Sequence, residues 1–264
     1  MEFFEVEKQG KVVLVYFNRP NKANAMNRIF WEEIQFLLNE YDNHEEIKVI
    51  VWAAKGKSFC AGLDLMDFFL NYQKVLFSKE STLIQKLILE LQEPFKRIAK
   101  SSKIHIAAVH GACVGGGLDF ISACDLRFAS KDAFFSLRET QMAIVADLGS
   151  LNRLPRIIGE NHTRLMAFTG DDYSAEKVYS WGLVSDVYEN QEILIQETLK
   201  IAEKIANHSR IVLGGVKNLL NFQWNQSPEE GLNYIAEWNG KHLINPDFLE
   251  MTAALAEKRK PHFR

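Results

Sequence analysis

HGACVGGGLDFISACDLRF, residues 110–128, sets three glycines directly ahead of an apolar run with helical spacing and a carboxylate, Asp119, one turn in. Glycine disfavours a helix by about 1 kcal/mol relative to alanine, so three at a helix mouth point to a backbone that something must approach closely. The preceding KIHIAAVHG (103–111) reads as a buried strand, giving a strand, a bare turn and a helix. SFCAGLDL (58–65) has the same character, with small residues and an acid following the apolar strand IKVIVWAA (47–54) and the loop KGKSFCAG. Side chains in both loops are too small to cover the backbone N–H groups, and a helix N-terminus adds unpaired donors and partial positive charge. Brought together, two such loops make an oxyanion hole for a developing enolate oxygen. Taken singly, each is equally a tight turn with close helix–strand packing. A phosphate cradle fits poorly, because neither GK[ST] nor GxGxxG is present and the nearby acid would repel phosphate.

Outward from this stretch, VVLVYFN (12–18) reads as a strand ending at the turn RPNKAN. MNRIFWEEIQFLLNEYDN (26–43) has helical spacing with Asn27 at the N-cap, and STLIQKLILELQEPFKRIA (81–99) is helical with Pro94 inviting a kink or break. LRFAS, AFFSL and LVSDVY (183–188) add short strands. Strands and helices alternate to about residue 190, which predicts α/β layers for a core of residues 1–190. From 191 to 264 the pattern is helical alone: EILIQETLKIAEKIAN, VLGGVKNLLNFQW, PEEGLNYIAEWNGKHL and PDFLEMTAALAEKRK. That region suits either oligomerisation or capping of its own core.

The 264 residues are 47% hydrophobic and 25% charged, ordinary for a globular protein with a sizeable core. A net charge of −3 argues against a nucleic-acid partner. No apolar run reaches membrane-span length, so no membrane partner is expected. Cys60, Cys113 and Cys124 lack metal-ligand spacing and sit in apolar stretches, as small buried residues of a reduced compartment would. The acidic, strand-like start and the terminal PHFR carry no targeting pattern, so the expected location is cytoplasmic.

Four acids stand near the glycines. Asp119 suits either catalysis or the dipole of its own helix, and Asp125 suits the end of that helix. Glu139 follows the AFFSLR strand. Asp147 follows the apolar QMAIVA, where desolvation would raise a carboxyl pKa into the range useful for proton exchange; it would also serve as the N-cap of GSLNRLPRIIG. His105 and His110 lie on the strand pattern without a GxSxG nucleophile and read as core or turn residues.

FNRPNKANAMN (17–27), GKSFCAGLDL (56–65), HGACVGGGLDFISACDLRFAS (110–130), SAEKVYSWGLVSDVY (174–188) and the terminal EKRKPHF (257–263) together resemble the enoyl-CoA hydratase/isomerase, or crotonase, superfamily over nearly the whole chain. The resemblance implies an α/β fold: a spiral of ββα units followed by a C-terminal helical trimerisation region, assembled as a homotrimer or homohexamer. It implies an acyl-CoA thioester substrate and no metal or redox cofactor, coenzyme A being part of the substrate. It maps the oxyanion donors onto the backbone of Leu63 and Gly116, and the CoA contacts onto Lys22, Ala23, Ala61, Asp64 and Leu65. Within the superfamily, residues 123–159 and GLNYIAEWN (231–239) are similar to the Δ3,5-Δ2,4-dienoyl-CoA isomerases, whose Asp, Glu, Asp triplet falls on Asp119, Glu139 and Asp147. A typical hydratase has glutamate at the first place and glycine at the third. The implied reaction shifts the double bonds of a 3,5-dienoyl-CoA to 2,4, with Glu139 and Asp147 at the proton-transfer positions, Asp147 near C2, and Asp119 as a third acid. Hydration of a 2-enoyl-CoA or a Δ3-Δ2 isomerisation is the alternative chemistry, and a non-catalytic binding or assembly protein on the same fold is the alternative class.

Overall fold

The computed structural model describes residues 1–264, the side chain of residue 225 excepted. The chain opens with β1 (Phe4–Gln9), β2 (Val12–Phe17), α1 (Arg28–Asp42) and β3 (Val49–Ala54), followed by α2 (Leu65–Leu76), α3 (Ser81–Lys100) and β4 (Ile104–Val109). Next come β5 (Ala112–Val114), α4 (Gly116–Ala123), β6 (Leu126–Ser130), β7 (Phe134–Ser136), α5 (Ser150–Ile157), α6 (Gly159–Thr169), β8 (Tyr173–Ser174), α7 (Ala175–Ser180) and β9 (Val187–Tyr188). Four helices finish it: α8 (Gln191–Ala206), α9 (Arg210–Phe222), α10 (Pro228–His242) and α11 (Pro246–Ala256).

The main sheet runs in the order β1-β2-β3-β4-β6-β9, antiparallel only at the β1–β2 hairpin. A second sheet, β5-β7-β8, takes one short strand from successive turns of the chain, and Cys60 bridges in parallel to Cys113 beside it. Each winding thus leaves a long strand in one sheet, a short one in or beside the other, and a helix, as the expected spiral requires. Strands of the main sheet read as unbroken apolar runs because both faces are covered. Val13, Val15 and Phe17 face α1, α3 and α4, whereas Val12, Leu14, Val49 and Val51 face Leu194, Ala202 and Ala206 of α8. Nine aromatic rings, Phe3, Phe4, Phe17, Phe30, Trp31, Trp52, Phe59, Phe95 and Phe120, form a contiguous cluster of edge-to-face and tilted contacts in the first of these cores.

Asn27 caps α1 through its side chain as expected, and Pro94 lies within a helix that runs on to Lys100 unbroken. The LVSDVY strand shrinks to Val187–Tyr188, because only those residues pair, with β6 at the sheet edge. The C-terminal stretch carries only helices as far as Ala256, is irregular from 257 to 264, and begins with α8 packed on the sheet. Buried lysines fasten it: Lys48 Nζ donates to His208 O, and Lys217 Nζ donates to Ile98 O, Lys103 O and Asp125 Oδ2. Asp125 also accepts the His105 N–H, tying the end of α4 to β4 and α9.

Candidate active site

Two loops meet through a short parallel ladder. Phe59 N–H donates to His110 O, Cys60 N–H to Ala112 O, and Val114 N–H to Cys60 O, at 2.8–2.9 Å. Glycines make this approach achievable. A Cβ on Gly111 would lie 2.0 Å from Lys57 O, and one on Gly117 would lie 2.8 Å from Cys60 O. The ladder carries Leu63 to the mouth of α4. A Cβ on Gly116 would stand only 3.7 Å from Leu63 N, and one on Gly62 would stand 3.4 Å from Gly116 N. Neither the Leu63 N–H nor the Gly116 N–H donates to an acceptor among the described residues. Two free, converging backbone donors with the N-terminus of α4 behind them are the geometry that stabilises a developing oxyanion.

Two carboxyls stand at this mouth, and a third is close enough for its charge to act on both. Asp119, in the first turn of α4, is buried, and Oδ1 accepts the Ser150 N–H at 2.6 Å. Burial raises its pKa to about 6, against the opposing pull of the Ser150 bond and the Arg153 guanidinium. Glu139 opens a 3₁₀ turn at Arg138–Met142; its Oε1 would be 3.2 Å from a Cβ on Gly115, and its buried Oε2 has no partner among the described residues. Burial first, then the charge of Asp119, pushes Glu139 up to about 7. Asp147 lies in the irregular segment that follows. Its surface is exposed, yet the protein crowds it closely enough that desolvation raises its pKa. The acids lie near one another: the charge of Asp147 acts on both Asp119 and Glu139, and that of Asp119 acts on Glu139. The three acids read from the sequence are therefore brought together.

Some side chains have duties that the sequence did not disclose. The N-cap of α5 is Gly149, so Asp147 does not cap that helix; Asp119, from 31 residues away, supplies the acceptor. Arg153 is buried against Gly149, with Nη1 facing Ser122 Oγ at 3.2 Å and Leu148 O at 3.4 Å. Gln92 on α3 donates to Asp147 O at 2.6 Å. Neither residue carries a motif; only a position on a helix facing the loop would have marked them. His105 is buried and accepts the Trp52 indole N–H, and His110 bonds Gly56 O, both as core or turn residues. The residues expected at CoA lie on two neighbouring loops. Ala61 N–H donates to Ala23 O, Lys22 is exposed beside them, and Leu65 is exposed at the start of α2. Asp64 is engaged elsewhere: it caps α2 through Asp67 N–H and pairs with Arg19 at 2.7 Å.

The family model described as enoyl-CoA hydratase/isomerase matches residues 7–264. The chain belongs to the enoyl-CoA hydratase/isomerase family. It is 36% identical to the human mitochondrial Delta(3,5)-Delta(2,4)-dienoyl-CoA isomerase, over 96% of this chain and 78% of that one. It is also 36% identical to the peroxisomal enzyme of that name from Arabidopsis thaliana, over 100% of this chain and 96% of that one. A solved structure titled enoyl-CoA hydratase from Bacillus anthracis superposes with a TM-score of 0.89 at 27% identity, covering 99% of this chain and 98% of that one. The organelle names of the first two do not match the cytoplasmic location expected from the chain ends; among the described residues, no helix is long and apolar enough to cross a membrane.

Proposed function

We propose that this family member converts a 3,5-dienoyl-CoA into the 2,4-dienoyl-CoA. The observation that carries the reading is the pair of free Leu63 and Gly116 N–H groups at the mouth of α4, with Asp119 in its first turn, Glu139 beside Gly115 and Asp147 close enough to act on both acids. The 36%-identical relatives named as dienoyl-CoA isomerases support it. The thioester oxygen accepts from Leu63 and Gly116. A carboxylate removes a C2 proton, the electron pair spreads through C3=C4 and C5=C6 as a dienolate, and a carboxylic acid returns a proton to C6. Double bonds then lie at C2 and C4, and no atom is gained or lost. Asp147, the exposed acid, is the base at C2. Glu139, with a pKa of about 7, keeps a proton to deliver at C6. Asp119 raises the Glu139 pKa and holds the start of α5 in place. Each oxyanion donor is worth about 10²–10³ in rate.

Lys22, Ala23, Ala61, Asp64 and Leu65 are proposed to form the CoA rim, the last two through backbone and apolar contact. No resident cofactor takes part in this scheme. Assembly as a homotrimer or homohexamer is proposed through the C-terminal helices, whose Val212, Val216, Leu220, Leu232, Leu249 and Leu255 are exposed. Sedimentation should give three or six times the monomer mass.

Parallel assays with a 3,5-dienoyl-CoA and a 2-enoyl-CoA test the chemistry. Growth of 2,4-dienoyl absorbance with little hydration is expected. Efficient hydration without a diene shift would establish the hydratase chemistry named for the Bacillus anthracis protein. Tight ester binding without turnover would make the chain a binding module.

A further inference from the structure

The loop bearing Asp147 has few hydrogen bonds holding it in place, although Leu148 is buried in the core and Ala146 packs against it. Residues 143–149 lie outside helix and strand, and Ile144, Val145 and Asp147 are exposed. At one end, Ala143 and Ile144 N–H groups turn back to Thr140 O and Glu139 O; at the other, Arg153 reaches Leu148 O and Asp119 takes the Ser150 N–H. Between Ile144 and Leu148, the bond from Gln92 Nε2 to Asp147 O is the only one that reaches another element among the described residues. Its donor stands on a firm post: Leu91, Pro94 and Phe95 of α3 are buried on either side of it. The acceptor is the main-chain carbonyl, not the carboxylate. A donor from Gln92 on the carboxylate would favour its charged form, whereas a donor on the carbonyl fixes the Asp147 backbone and leaves the carboxylate, bonded only to its own N–H, able to exchange a proton.

We propose that Gln92 is a positioning residue for proton transfer by Asp147, a claim that rests on the role given to Asp147 above. Misplacing a reacting group by about 1 Å can cost on the order of 10²-fold in rate. Gln92→Met keeps the length and the packing of the side chain but removes the donor. It should lower kcat on the 3,5-dienoyl-CoA by about 10- to 100-fold, leave KM within about twofold, and speed amide hydrogen exchange in residues 143–148. In an Asp147→Asn background it should cost nothing further, because a residue that acts through Asp147 has nothing left to position. Unchanged kcat, unchanged exchange in the loop, or losses that multiply in the double variant would overturn the proposal. If the wild-type protein fails to isomerise the dienoyl ester, the reaction assigned above fails. The exchange measurement, with the same cycle run on hydration of a 2-enoyl-CoA, still decides whether Gln92 holds the loop.

Discussion

Gly117→Ala tests whether the backbone ladder sets the oxyanion geometry. The added Cβ would meet Cys60 O at 2.8 Å and Cys60 Cβ at 3.0 Å, where ordinary contact begins at 3.4 Å. Relief requires a separation of about 0.6 Å between α4 and the Cys60 loop. One partner is a backbone carbonyl and the other a Cβ that no rotamer change moves, so no side chain can swing aside. Cys60 is hydrogen-bonded on both sides to β5, and Leu63 follows three residues later, so the displacement passes directly to one of the two donors. Overpacking costs about 1–3 kcal/mol, offset by the roughly 1 kcal/mol that alanine gains over glycine inside a helix. The variant should therefore fold, with a loss of stability below about 2 kcal/mol. Weakening one donor should lower kcat by up to about 10²-fold. Gly240→Ala is the control: its Cβ meets nothing within 4 Å, so it should gain up to about 1 kcal/mol with kcat unchanged. Steady-state kinetics on the dienoyl ester, with thermal melts of both variants, make the comparison. A folded Gly117→Ala enzyme with kcat within twofold of wild type would refute the idea that this contact holds the donors in place.

Glu139→Gln and Asp147→Asn should each reduce turnover by about 10²–10⁴-fold while calorimetry shows CoA-ester binding largely retained. Because Glu139 must carry a proton to act as the acid, kcat should fall as pH rises through about 7; Asp119→Asn, which keeps an acceptor for Ser150 but removes a charge, should move that limb to lower pH. The same group affects stability: its folded-state pKa of about 7 lies above the ordinary 4.5, so its contribution is fully present below pH 4.5 and is lost as pH rises through 7. Glu139→Gln should accordingly stabilise the protein by up to about 3 kcal/mol at pH 8 and little at pH 4, measured by urea titration. Lys217→Met would leave Asp125 buried without its cation and should cost about 3–5 kcal/mol, much of which Asp125→Asn in the same chain should restore.

The alternation of apolar strands with amphipathic helices was legible because the sheet is covered on both faces and the helices are long enough to show their period. β5 was not, since three residues inside the glycine motif display no periodicity, and yet this strand is what brings Cys60 to Cys113. α2 was hidden because none of its residues is buried, and its start is marked by Asp64, which reads equally as a ligand contact. The three acids could be picked out from sequence, whereas their supports could not. Ser150 lies 31 residues from Asp119, and Gln92 lies 55 residues from Asp147. Such partners are set by how successive windings stack, which no local pattern reports.

The proposed site divides its labour between backbone donors and side-chain acids. The donors belong to backbone, and the ladder between residues 59–60 and 110–114 holds them whatever side chains surround them. The acids come from three separate supports: Asp119 from a buried helix, Glu139 from a 3₁₀ turn, and Asp147 from an irregular loop. Asp119 is structurally committed, because its oxygen holds the start of α5, so changing it disturbs the fold as well as the chemistry. Asp147 is bound by no such duty; its carboxylate contacts no other residue among those described, and its backbone is steadied from α3. Of the three positions it is therefore the cheapest to alter. In the proposed mechanism, a change there adds or removes one proton-transfer group while the Leu63 and Gly116 donors and the packed core stay as they are.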